Sequence, residues 1–173
     1  MKNNILHLTL FLGIVSALAG GALAFANNMT APVIAKNAEN AEKASLLEMY
    51  PDASLDDFVP VEDDGIIADH PSVENIYKYN DLVIFKCSVP GYDKGTVFLV
   101  SIDPANDVID NFKAISNGDT KGFGSKIMDE PFREGILGKQ ASGQLDTISG
   151  ATLTSTPVVN AINECAGFAA QID

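Results

Sequence analysis

VENIYKY-ND-LVIFKCSV, residues 73–89, is the stretch on which the fold turns. Two runs rich in β-branched and aromatic residues flank Asn80-Asp81, so the stretch reads as a β-hairpin. In the second run Val83, Phe85, Cys87 and Val89 recur at period two and share one face, which makes Cys87 a buried thiol. Residues 90–95 then form a loop, TVFLVSI (96–102) a third strand, 103–107 a turn and VIDNFKAI (108–115) a fourth strand. SNGDTKGFGSK (116–126) is a long loop, with a short helix expected over 131–137. Residues 138–154 are rich in Gly, Ser and Thr. The last helix is expected over 157–170, with Pro157 at its first position. Its Ile162, Cys165, Ala166 and Ala169 share a face, so Cys165 is a second core thiol. Two buried thiols are expected, with a Cys87–Cys165 bridge open outside the cytoplasm.

Upstream of the hairpin the chain changes character. ILHLTLFLGIVSALAGGALAFA (5–26) carries no charge other than any on His7 and is long enough to cross a bilayer as one helix. A cleaved signal peptide competes, because Ala22-Leu23-Ala24 has a small-x-small form. The apolar run continues past that point, which favours an uncut anchor. Lys2 on one side and Lys36 and Lys43 on the other leave the positive-inside count undecided. Pro32 suits the first turn of a helix that runs through strong helix formers and stops before Pro51, a stalk beyond the anchor. From Glu48 to Glu74 inclusive there are nine acids and no Lys or Arg, read as a solvated acidic flank. The expected organisation is a cytoplasmic leader over 1–4, a transmembrane anchor over 5–26, a helical stalk and acidic segment over 27–72, and a folded domain over 73–173.

Composition narrows the function. The 173 residues hold 23 Asp+Glu against 11 Lys+Arg, a net charge of −12 that repels phosphate backbones and excludes nucleic-acid binding. Two Cys and two His supply no structural zinc set. There is no G-x-S-x-G elbow, and residues 135–140 lack the spacing and the Ser/Thr of a P-loop.

One run stands apart. Residues 147–156 carry six hydroxyl side chains in ten positions, immediately before the last expected helix. Helix capping by Ser155 or Thr156 accounts for one or two of them. Hydroxyls and small residues leading into a helix N-terminus form a cradle for an anion, and Gly150 and Ala151 let a ligand come close to the backbone. The residues alone therefore point to a phosphate-containing ligand.

Ser149-Gly150-Ala151-Thr152, with Asp146 three positions before the Ser, resembles the flavinylation motif of the FMN-binding domain family. That family includes the G subunit of the Rnf electron-transport complex and the C subunit of the sodium-translocating NADH:quinone reductase. The resemblance to the Rnf G subunit extends along nearly the whole chain. It takes in residues 28–35 after the anchor, Pro90-Gly91-Tyr92, and Asp119-Thr120-Lys121-Gly122-Phe123-Gly124 with Phe132 and Gly138-Lys139 beyond. Asp119 stands where Glu is usual and Lys121 where Pro is usual.

The resemblance implies one FMN per chain, bound covalently through a phosphoester to the Thr152 hydroxyl and installed from FAD by a flavin transferase that reads Asp146. Ser149, Gly150, Ala151, Leu153, Thr154 and Ser155 would surround it, with Tyr92, Phe123 and Leu153 as apolar walls. It further implies an α+β fold: one transmembrane helix, then a small, mostly antiparallel sheet domain with a C-terminal helix. The protein would be an electron-carrier subunit, not a stand-alone enzyme, in an ion-translocating ferredoxin:NAD oxidoreductase complex. It would sit in the cell membrane among other membrane subunits, its domain on the extracytoplasmic side. A quinone-reductase C subunit, a free-standing extracytoplasmic flavin shuttle and a flavin-free anchored scaffold stay open as alternatives.

Overall fold

The computed structural model describes residues 2–62 and 64–172. The expected leader begins with Met1, which lies outside the described residues. The chain divides into two compact units, Met1–Ala41 and Glu42–Asp173.

The first unit belongs to helix α1 (Lys2–Met49). This helix is long and apolar enough to cross a membrane, with a mean hydropathy of 2.1 over its most apolar window. Its Leu, Ile and Phe side chains from Ile5 to Phe25 are exposed, a surface that lipid would cover. Pro32 lies inside α1 and does not start a separate helix. Proline costs about 3 kcal/mol inside a helix. The helix nevertheless runs through this position, where one backbone bond is lost.

The second unit is an α+β domain. Strands β1 (Val59–Pro60), β2 (Val73–Tyr79), β3 (Leu82–Val89), β4 (Thr96–Asp103) and β5 (Val108–Asn117) form one antiparallel sheet in sequence order. A short helix α2 (Asp64–Asp69) precedes β2. Beyond β5 come a 3-10 turn (Gly124–Met128), helix α3 (Glu130–Ile136) and helix α4 (Thr152–Ala169). The hairpin closes as its sequence implies, with Tyr79 opposite Leu82 and Asn80 in the left-handed region at φ 53°.

Both faces of the sheet are covered. Val83, Phe85, Cys87 and Val89 share one face, as their period predicts, and pack with Val158, Ile162, Cys165 and Phe168 of α4. Phe85 meets Phe168 edge-on at 5.4 Å. Cys87 and Cys165 are free, fully buried thiols with sulfurs 3.6 Å apart. The Cys165 thiol and burial push the Cys87 thiol well above its ordinary range, so it stays protonated and inert.

On the other face Ile84 and Leu99 are also fully buried, under Leu46, Met49 and Phe58. The compact unit therefore starts at Glu42, not at the first long strand, and the end of α1 is part of the domain core instead of a free stalk. Glu42 fastens it, accepting from Asn75 at 3.0 Å, Lys86 at 2.9 Å and the Tyr77 hydroxyl. The acidic flank is likewise more ordered than its charge suggested. It contains a 3-10 turn (Leu55–Asp57), α2 and the edge strand β1, which pairs Val59 with Lys78.

Phe85→Ala should cost about 3–5 kcal/mol, the range for deleting a buried aromatic ring. A lowered urea midpoint of the sheet signal in detergent-purified protein checks this.

Candidate functional site

Three segments meet at the end of α4. The first is the β3–β4 loop, residues 90–95; the second is residues 118–124, following β5; the third is the N-terminus of α4. Between them lies an open cleft of about 470 Å³, lined by Tyr92, Asp119, Phe123, Gly150, Thr152 and Thr154 among others. Tyr92, Phe123 and Leu153 are 71%, 60% and 67% exposed, so their apolar surfaces stand uncovered around it.

Helix α4 starts earlier than its proline suggested. Thr152 is its first residue and Pro157 its sixth, with Ala151 at the N-cap position. The hydroxyl run is thus the opening turn of the helix, not a loop leading into it. The amides of Thr154 and Ser155 return to the Ala151 carbonyl at 3.1 and 2.9 Å. The amides of Thr152 and Leu153 come before any such bond, the donors with which a helix start meets an anion.

The hydroxyls in this turn have different surroundings. Ser155 is fully buried; its Oγ donates to the Ala151 carbonyl and accepts from the Ile148 amide, both at 3.0 Å. Thr154 is buried and donates to Asp119 at 2.5 Å. Thr152 is exposed on the cleft. The structure thus gathers Tyr92, Phe123, Gly150, Ala151, Thr152, Leu153 and Thr154 around one cavity, and leaves Ser149 and Ser155 outside its lining. Gly150, at φ +79°, holds the left-handed turn into the helix, and a side chain there would meet open space.

Asp146 stands apart from the cleft. It is exposed and paired with Lys139 at 2.8 Å, and that pairing lowers its pKa. It borders a second hollow of about 370 Å³ with Thr147, Ile148, Phe132 and Ile136.

The residue whose importance the sequence did not reveal is Asp119. Its Oδ1 accepts from the Asp93 amide at 2.8 Å and its Oδ2 from Thr154, so one carboxylate joins all three segments. Room for it comes from two glycines. A Cβ on Gly91 would fall 2.3 Å from its Oδ2, and one on Gly124 would fall 2.5 Å from its Cβ. Partial burial raises its pKa, but the Thr154 hydroxyl and the amides of Asp93, Tyr92 and Gly95 outweigh that and bring it to about 2. In the sequence these residues stood out only as parts of the two stretches, 90–92 and 119–124, that resemble the Rnf G subunit.

Residues 91–167 match the FMN-binding domain, a span that includes every residue lining the cleft, and residues 1–49 match the RnfG N-terminal region. The domain that holds the cleft is thus similar to the FMN-binding domain family. It is 24% identical over 189 aligned positions to the G subunit of the ion-translocating oxidoreductase complex of Pseudomonas aeruginosa, covering 94% of this chain and 87% of that one. It is 26% identical over 183 positions to the G subunit of the Na(+)-translocating ferredoxin:NAD(+) oxidoreductase complex of Acetobacterium woodii, covering 92% and 88%. The G subunit of the ion-translocating oxidoreductase complex of Methanosarcina acetivorans is 26% identical over 171 positions, with 90% and 89% covered.

The cleft's residues fit FMN. The isoalloxazine needs flat apolar walls, which Tyr92, Phe123 and Leu153 offer, and the phosphate needs donors, which the start of α4 offers.

Asp119 titrates below its ordinary value of 3.8, so its bridge adds stability that is complete above about pH 4 and lost as pH falls through about 2. An NMR titration of the Asp119 carboxyl should therefore find a value near 2. In Gly91→Ala, where the new methyl displaces the carboxylate, it should rise toward 3.8.

Proposed function

We propose that this chain is a membrane-anchored flavoprotein subunit of an Rnf-like ion-translocating electron-transport complex, with one FMN held covalently on Thr152. The observation that carries this reading is the exposed Thr152 hydroxyl at the first position of α4, beside a cleft with three uncovered apolar walls. The FMN-binding domain match over 91–167 and the likeness to Rnf-type G subunits along more than 90% of the chain support it.

Attachment is a phosphoryl transfer. The Thr152 oxygen bonds to the FMN phosphorus of FAD, the pyrophosphate P–O bond breaks, AMP leaves, and the hydroxyl proton is lost. A transferase needs an accessible oxygen for this. Thr152 supplies one, whereas the oxygens of Thr154 and Ser155 are buried in bonds to Asp119 and Ala151. The start of α4 then favours the phosphodiester charge by about 0.3–1 kcal/mol, which positions the group and adds little to a covalent link. Bound FMN supplies the electron transfer. The chain's own residues orient it: Tyr92, Phe123 and Leu153 cover its faces, and the opening amides of α4 hold its phosphate. The second hollow, bordered by the exposed Asp146, gives a transferase a feature on the same domain to read, in keeping with the recognition role the motif resemblance assigns to Asp146.

The relatives' names place them in ion-translocating complexes, and one couples ferredoxin and NAD(+). On this reading the partners here are the other membrane subunits, and the domain lies on the extracytoplasmic side of the anchor.

Protein made with a flavin transferase should give a band that fluoresces on a denaturing gel. Thr152→Ala should abolish it, Thr152→Ser should keep part of it, and Thr154→Ala should leave a band. Gly150→Val should also abolish it, because the position has positive φ and opens on the cleft. A wild-type band that never fluoresces would leave the flavin-free scaffold in place of the carrier.

Protease added to cells with an exposed cytoplasmic membrane should remove the domain and leave the α1 anchor in the membrane. A mature protein starting near Phe25 and free of the membrane would contradict the anchored topology.

A further inference from the structure

We infer that Asp119 sets the reduction potential of the group bound in the cleft, as a fixed negative charge on its wall that makes electron uptake harder. The inference rests on the FMN reading above and adds a role for a residue outside the hydroxyl run. Three observations carry it.

The first is place. Asp119 lines the same cavity as Thr152 and is the one formally charged side chain among its lining residues. Lys94 and Lys121, on the same two loops, are exposed and absent from that lining.

The second is fixation. The carboxylate is bonded to Thr154 on α4 and to the Asp93 amide on the β3–β4 loop. It fills the space that Gly91 and Gly124 leave by having no side chain. A charge held this firmly cannot swing away when the neighbouring group changes its own charge.

The third is persistence. The bonds that hold the carboxylate favour its ionised form, so it is charged at neutral pH.

The consequence follows from Coulomb's law. An electron that enters the bound group without a proton adds negative charge beside Asp119. The fixed carboxylate opposes this, so the potential is lower than in a neutral cleft. Water at the open cleft weakens the effect without removing it. Asp119 is thus a positioning residue for the wall formed by Tyr92, and through its charge a tuning residue for the flavin.

The test uses the full-length chain, flavinylated and in detergent, with potentiometric titration of the flavin absorbance. Asp119→Asn removes the charge and keeps an acceptor oxygen. Asp119→Glu keeps the charge on a longer side chain that the space beside Gly91 and Gly124 does not match. Asp119→Asn is expected to shift the midpoint potential upward, with a severalfold higher ratio of reduced to oxidised flavin at a fixed applied potential. The shift should shrink in high salt, and Asp119→Glu should restore most of the wild-type potential.

A purely structural role would move both variants together. Equal shifts in the two variants, or no shift in Asp119→Asn, would overturn the inference while leaving the flavin assignment intact. An Asp119→Asn chain that takes no flavin would overturn it as well, by making the carboxylate a requirement for loading. A wild-type chain without flavin would remove the FMN reading and this inference together.

Discussion

A sheet that is apolar on both faces must be covered twice, and the domain depends on that requirement. Helix α4 covers one face through Val158, Ile162, Cys165 and Phe168; the end of α1 and Phe58 cover the other, over Ile84 and Leu99. The position of α4 on the sheet fixes where its N-terminus emerges, and with it the placement of Thr152 and Thr154. The site is thus built on a helix whose opposite flank is core. Such a helix holds its first turn in register with the loops around it more firmly than a free loop could.

The central meander was legible because each strand carries its own signal. β2 to β5 are rich in β-branched and aromatic residues, β3 has its core positions at period two, and their connections contain Asn80-Asp81 and the Asp103–Asp107 turn, with Asn80 and Asp107 at positive φ. Edge strand β1 was not legible. Two residues cannot establish a period, and the pairing of Val59 and Pro60 with β2 is set by the sheet. The burial at the end of α1 was hidden for a related reason. Leu46 and Met49 read equally well as a solvent-facing stalk or a core face until Ile84 and Leu99 provide a surface for them.

The site was readable in part. The hydroxyl run and its glycine marked the start of α4, but Pro157 suggested a helix beginning five residues late. Proline is favoured in the first turn, where the N–H it lacks has no partner, but it also occurs one turn on, as Pro157 does at the loss of a bond to the Leu153 carbonyl, so it marks the neighbourhood of a helix start more than its first residue. The aromatic walls came from resemblance and not from pattern. Tyr92 and Phe123 lie in loops without periodicity, and only the folded chain brings them opposite Leu153. The role of Asp119 is a tertiary property, because its partners on Asp93 and Thr154 lie 26 and 35 residues away in sequence.

The space for the Asp119 carboxylate is defined by what Gly91 and Gly124 lack, which makes the three positions a single mutational unit. A methyl group at Gly91 is harmful only while the carboxylate is present, so its cost should largely vanish in a background where residue 119 has no side chain. Substitution effects at these sites will be non-additive, as contact between partners requires. A scan of single changes would score each as intolerant, although the set could drift together.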